Sequence, residues 1–300
     1  ASGYFMKMKN LILISLDTVR ADVAYSGKFP GIESLRKAGV TFQNTISSSP
    51  LTPISHATVF TGMQPYNHGI RHLFKEKIND NVPTLAEILK SEGYKTSAIV
   101  SCPGMNRWYG FSRGFDHYDD EIPRLADGSN ALNSVDVKVR GTAMKRADVV
   151  VSKAEEWLKN NKNCNFFLFL HFFDAHWPYE APKKFGGDNP YEEEVAYSDH
   201  YLKSFIEFIK KEGLYSDSLI VIFSDHGEDL NGWYSNDKAG ESFGHPEEFG
   251  HGCLLYNQTQ RVLLIINDKT IKKDQKIFDQ VRLVDVAPTV LGLLDIPHNI

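Results

Sequence analysis

Cysteine is scarce in this chain: Cys102, Cys164 and Cys253 are three in 300 residues, far apart and odd in number. No CxxC or paired spacing marks a structural zinc or a disulfide framework. Three buried free thiols in a reducing compartment are expected instead. Positive charge is not in excess either. The 33 Lys and Arg against 38 Asp and Glu leave a formal net charge of -5, which lacks the basic footprint of a nucleic-acid binder. Long apolar runs are missing as well. The run Leu11 to Leu16 is too short for a membrane span or a signal-peptide core and leads straight into Asp17. A cytoplasmic location with no membrane span in this chain is therefore the expectation, and a longer, anchored native form stays open. There is no internal repeat or low-complexity segment. Ala1 to Phe5 read as an added leader before a native start at Met6 or Met8, so residues 1–9 are set apart from a single domain over 10–300.

What is present is enough apolar content, 42%, for a large core, arranged as short apolar runs alternating with helical patterns. That alternation predicts an α/β fold, a mostly parallel central sheet with helices on both faces. Leu11–Leu16, Thr96–Val100, Phe166–Leu170, Leu219–Phe223 and Arg261–Ile266 read as strands, the continuous apolar ones as strands buried on both sides. Ile32–Ala38, Thr84–Ser91, Ala147–Lys159 and Tyr197–Lys211 read as helices, several closed by a glycine. Val281–Leu294 reads as a strand-to-helix passage with Pro288 near the first helical turn. Residues 120–145 and 228–250 are polar and aperiodic and read as loops.

In open α/β sheets, ligands bind beyond the carboxyl ends of the strands. There the sequence sets Asp17-Thr18-Val19-Arg20 after the first strand, then His171, Asp174 and His176 around the end of the Phe166 strand. Ser224-Asp225-His226-Gly227-Glu228 follows Leu219–Phe223, and His251 precedes the Arg261 strand. Any one of these Asp residues would serve as a helix N-cap. Their recurrence at successive strand ends points to a metal site of oxygen and nitrogen ligands suited to Zn, Mn, Mg or Ca. A second constellation, Ser47-Ser48-Ser49-Pro50-Leu51-Thr52-Pro53-Ile54-Ser55-His56, is a hydroxyl-rich loop with a helix expected from near Ser55 to Gly62. A helix N-terminus attracts anions, and a metal-activated hydroxyl there attacks phosphorus or sulfur. On this segment alone, Thr52 or Ser55 serves equally well as a simple N-cap.

Taken in order, NLILISLDTVRAD, PLTPISHATVFTG with MQPYNHGI, HFFDAHWPY, the stretch from Tyr197 through SLIVIFSDHGE, GHGCLLYNQTQRVLLII and VRLVDVAPTVLGLLDIP resemble the sulfatase-like branch of the alkaline phosphatase superfamily. The likeness runs from Asn10 to Pro297. It implies that Asp17 is the first metal acid, that Asp225 and His226 are paired ligands, and that Thr52 stands at the nucleophile position. Ser55 and His56 then fall on the motif's serine and arginine. His176 and His251 match positions that act as acid, touch the substrate oxygen or bind a second metal, with Asp174 and His56 as further candidates for that second metal or for substrate.

Three departures bear on the chemistry. Sulfatases of this branch convert a cysteine or serine to formylglycine. Thr52 cannot become that aldehyde, because its β-carbon carries a methyl group, and no cysteine lies near the segment in the sequence. Ile54 and His56 replace the motif's proline and arginine, and Thr18 replaces a second aspartate. Relatives with threonine here are implied to be phosphotransferases, phosphodiesterases and phosphomutases. The expectation is a metal-dependent hydrolase or transferase acting on a phosphate ester, a phosphodiester or phosphomonoester, through Thr52, with Mn or Zn preferred and Ca or Mg admissible. Its substrate would be an ester of a small molecule, a lipid headgroup or a glycan. The alternatives are a sulfatase without formylglycine, a non-catalytic relative that binds an anionic glycan or lipid headgroup, and an α/β domain without a metal. Arg107, Trp108, Arg113 and Lys145 are read as solvated surface positions.

Overall fold

The computed structural model describes residues 9–182, 185–230, 234, 249–298 and 300. Among them nine strands form one sheet: β1 (Asn10–Leu16), β2 (Val40–Ile46), β3 (Lys95–Ile99), β4 (His117–Asp119), β5 (Phe166–Phe172), β6 (Ser218–Phe223), β7 (Arg261–Val262), β8 (Leu264–Asn267) and β9 (Gln275–Arg282). The spatial order is β4-β3-β5-β1-β6-β8-β2, with β7 beside the far end of β2 and β9 on its other edge. From β4 to β6 every pairing is parallel. Beyond β6 the pairings with β8 and β7 are antiparallel, and β9 returns parallel to β2.

Successive side chains of a strand point to opposite faces, and β1 uses both. Leu11 and Leu13 enter one core with the helices Thr52–Thr61, Leu85–Ser91 and Val286–Leu293. Ile12 and Ile14 enter the other, with Pro30–Ala38, Ala147–Asn161 and Pro190–Lys211. Helices therefore cover both faces, as the unbroken apolar runs require. Each fully buried Leu, Ile or Phe on these strands contributes about 1.5–3 kcal/mol. No helix among the described residues is long and apolar enough to cross a membrane.

Several boundaries differ from the sequence reading, each for a local reason. The helix expected from near Ser55 begins at Thr52. Pro53 sits in its first turn, where a missing N–H costs nothing, and Gly62 ends it in the left-handed conformation at φ 64°. The long helix starts at Pro190, capped by the Asn189 side chain on Glu192 N at 2.9 Å. The strand expected over Arg261–Ile266 is broken between β7 and β8, and the last strand begins at Gln275. β2 was not anticipated, because Val-Thr-Phe-Gln-Asn-Thr-Ile carries no clean apolar period. The segment 120–145 holds a short helix, Val137–Gly141, while 231–233 and 235–248 lie outside the described residues. The expectation of three buried thiols also fails, since Cys164 and Cys253 are exposed and only Cys102 is buried.

Candidate active site

The parallel half of the sheet delivers its carboxyl ends to one place. Asp17 follows β1, with its N–H on the Phe172 carbonyl at 2.9 Å, and Asp225 follows β6 by one residue. Both are fully buried. Between them lies Thr18, a β-branched residue held at φ 58°, a region such residues rarely occupy. Three hydrogen bonds hold the strained turn. The Thr18 hydroxyl donates to the Asp17 carbonyl at 2.7 Å, its N–H donates to Asp225 Oδ1 at 3.2 Å, and its carbonyl accepts from the buried Tyr191 hydroxyl at 2.8 Å.

The two carboxylates are bonded in the same lopsided way. Asp225 Oδ1 accepts from the N–H of Thr18 and of His226, at 3.2 and 2.9 Å. Asp17 Oδ2 lies 3.1 Å from His171 Nε2. The other oxygens, Asp17 Oδ1 and Asp225 Oδ2, are buried without a hydrogen-bond partner. His226 Nδ1 lies 3.0 Å from the Gly227 carbonyl, so Nδ1 carries the proton and Nε2 presents a lone pair. That lone pair is 3.3 Å from Asp225 Oδ2 and 3.3 Å from Thr52 Oγ1. Gly227 is obligatory here, because a Cβ would collide with the Gln258 carbonyl.

Ligand atoms of Asp17, Asp225 and His226 lie within 4.8 Å of one another. Burial, opposed by His251, Thr52 and the Asp225 side chain, lifts the Asp17 carboxyl to about 7. Burial and the charge of Asp17 push Asp225 well above the usual carboxylate range. Burial, then His251, holds His226 far below its ordinary value. When ionised, two orphaned carboxylate oxygens beside an imidazole lone pair are mutually repulsive and costly to bury. A divalent cation among them satisfies all three, so this donor set fits the metal that the sequence implies.

Thr52 is the first residue of its helix and nearly buried. The helix is fastened to the β6 end by Ser55, whose hydroxyl donates to the Asp225 carbonyl at 2.8 Å. His56 is wholly buried, with Nδ1 2.8 Å from the Thr52 carbonyl and Nε2 2.9 Å from Ser15 Oγ. Its nitrogens serve the framework, with Asp225 Oδ2 3.5 Å from Nδ1. The His251 ring lies tilted beside His226, centroids 4.2 Å apart, and His176 lies 5.1 Å from His251. Glu228 Oε1 is 2.9 Å from His251 Nδ1, and Tyr179 donates to Glu228 Oε2 at 3.1 Å. Burial disfavours the charged His251, but Glu228, with Asp17 and Asp225, more than offsets it and lifts the imidazole to about 9. His176, buried beside His251, is lowered to about 4, and its Nδ1 lies 2.7 Å from the Trp177 carbonyl.

The structure thus gathers Asp17, Thr52, Asp225 and His226, with His56 behind them and His251 and His176 alongside. Asp174 is not among them. Its carboxylate turns away to Arg146 Nε at 3.0 Å and the Ala147 N–H at 3.2 Å, so it anchors the loop that carries His176. Two neighbours join them that were given no specific role, although His171 was read at its strand end. His171, on β5 opposite Ser15 of β1, and Cys102 lie with Asp17 in a second group of ligand atoms within 4.8 Å. Cys102 is distant from Thr52 in sequence but packs with it against Gly104, where a Cβ would stand 3.4 Å from Cys102 Sγ and from Thr52 Cβ. The signal for His171 was present, as the one polar residue in Phe-Phe-Leu-Phe-Leu-His-Phe. Lys145 is also no surface charge. It is buried and bonded to the Val100 and Asp119 carbonyls and to the Asp119 carboxylate.

The family model described as Sulfatase matches residues 9–296. The "Uncharacterized sulfatase YidJ" of Escherichia coli (strain K12) is 21% identical over 346 residues, covering 97% of this chain and 69% of that protein. Lipoteichoic acid synthase 2 of Bacillus subtilis (strain 168) is 26% identical over 314 residues, covering 98% of this chain but 46% of that protein. Most of the curated relatives it matches are likewise much longer than this chain. The phosphonate monoester hydrolase of Agrobacterium radiobacter has the same fold, with a TM-score of 0.74 at 16% identity over 96% of this chain and 74% of its own.

Proposed function

The chain belongs to the sulfatase family, in the sulfatase-like branch of the alkaline phosphatase superfamily, and on that premise we propose that it is a metal-dependent hydrolase or transferase of phosphate esters with Thr52 as nucleophile. The observation that carries the reading is the Thr52 hydroxyl, 3.3 Å from His226 Nε2, beside two carboxylate oxygens without partners. Asp17, Asp225, His226 and Thr52 would hold the cation, with Mn or Zn preferred for a set that includes imidazole. When bound, the cation supplies Lewis acidity, lowering the hydroxyl's pKa and offsetting charge on the phosphoryl oxygens.

The steps themselves belong to the chain. Thr52 loses its proton to solvent and its oxygen attacks phosphorus in line, forming phospho-Thr52 as the bond to the leaving alcohol breaks. His251, kept protonated by Glu228, gives its proton to the leaving oxygen. Water or a second alcohol then takes the phosphoryl group from Thr52 and returns a proton to His251. His176 suits the acid role less, because its Nδ1 is engaged with a carbonyl and its imidazole is held neutral. It is left to orient substrate. The substrate is an ester of a small molecule, a lipid headgroup or a glycan.

The family name favours one competing reading, a sulfatase without formylglycine. The test sets an activated phosphodiester, a phosphomonoester and the matching aryl sulfate side by side, with acid-quenched peptide mass analysis. Turnover of a phosphate ester, a phosphoryl group on the Thr52 peptide, and at least a ~10³-fold loss in Thr52→Ala are expected. Full activity in Thr52→Ala, or turnover confined to the sulfate ester, contradicts the proposal.

A further inference from the structure

Asp17 and Asp225 are each tied at one oxygen and open at the other, but the ties differ in kind. Asp225 is held by backbone N–H groups of Thr18 and His226, which the fold supplies whatever the side chains. At Asp17 the fastened oxygen, Oδ2, is met by a side chain, His171. We infer that His171 is the positioning residue for Asp17, its Nε2–H fixing Oδ2 so that Oδ1 faces Asp225 and His226. This rests on the metal-dependent reading above.

The tautomer follows from the neighbours. The Ser101 N–H donates to His171 Nδ1 at 3.3 Å, so Nδ1 is an acceptor and the ring proton sits on Nε2, the atom 3.1 Å from Asp17 Oδ2. The ring cannot turn away easily. It lies in a fully buried stretch of β5, its backbone carbonyl accepts from the Ser101 hydroxyl, and His56 packs edge-on at 5.0 Å. The group Asp17, Cys102 and His171 could be taken for a second metal site. The hydrogen bonds argue otherwise, because one ring nitrogen accepts and the other donates, leaving no lone pair for a cation. Partners of this kind are worth about 10–100-fold in metal affinity.

The experiment measures Mn²⁺ affinity and stoichiometry by calorimetry on the whole chain for wild type, His171→Gln and His171→Asn. The longer Gln amide brings an N–H to the place of Nε2, whereas the Asn amide reaches only the place of Nδ1. Both changes are polar and slightly smaller than the imidazole, so a merely structural role predicts equal effects. The expected result is about 10–100-fold weaker binding for Asn, rescue toward wild type by Gln, and matching melting curves for the two in chelator. Equal affinity in Asn and wild type overturns the assignment alone. So does a fall from two bound ions to one, which would make His171 a ligand. A wild type that binds no Mn²⁺ overturns the metal-dependent reading and this assignment with it.

Discussion

Two acidic clusters sit at carboxyl ends of the same sheet, and they are built oppositely. At the end of β4, Asp119 meets Lys145 Nζ at 2.9 Å and Lys153 Nζ at 2.7 Å. Burial alone would raise its carboxyl, yet the two lysines bring it below the usual range. At the ends of β1 and β6, Asp17 and Asp225 are buried more deeply, with no lysine or arginine paired to them among the described residues, and each keeps one oxygen unpartnered. The first cluster is complete as folded and serves stability. The second buries two carboxyl groups that ionise together only at a high cost, a cost that on the proposed reading a bound cation offsets.

Substitution should separate the two most widely. Asp17→Asn is expected to lose activity by about 10³-fold or more. In chelator its urea-unfolding stability should match or exceed that of wild type, since one of two facing carboxylates is gone. Asp119→Asn should do the reverse, keeping kcat and losing about 3 kcal/mol of stability, because the buried Lys145 is left half-paired. Equal destabilisation by both changes would erase the distinction.

A smaller effect appears as a slope with pH. In the metal-free protein the Asp17 carboxyl lies at about 7 against an ordinary 3.8, so the folded state holds a proton that the unfolded chain releases. Stability is then greatest below about 4 and falls as pH rises to about 7. His251, lifted from 6.5 to about 9, adds a second loss in the same direction between those values. The lowered carboxyl of Asp119 contributes oppositely, with stability lost as pH falls below about 4. Unfolding curves in chelator from about pH 2 to 9 check the signs, and saturating Mn²⁺ should flatten the Asp17 portion.

Much of this was legible beforehand, and the failures have physical causes. Strands buried on both faces declare themselves as apolar runs, so β1, β5 and β6 were readable, whereas β2 and the exposed β9 mix polar and apolar residues and were not. The gathering of Asp17, Asp225 and His226 could be expected because strand ends converge, whereas Thr52, at a helix start, was singled out only by the family resemblance. Asp174 could not be placed, since the chain turns there, just past the end of β5, and its carboxylate goes to Arg146. Cys102 was dismissed on distance along the chain, which says nothing about the distance between neighbouring strand ends. The tautomers of His171 and His226 depend on single backbone groups, Ser101 N–H and the Gly227 carbonyl, and no sequence pattern announces them.

The most direct test of the central contrast is the metal content of chelator-stripped protein after reloading with Mn²⁺ or Zn²⁺ and desalting, wild type beside Asp225→Asn and Asp119→Asn. The account predicts at least one ion retained by wild type and by Asp119→Asn and that ion lost from Asp225→Asn. No ion on wild type, or equal retention by all three, would contradict it.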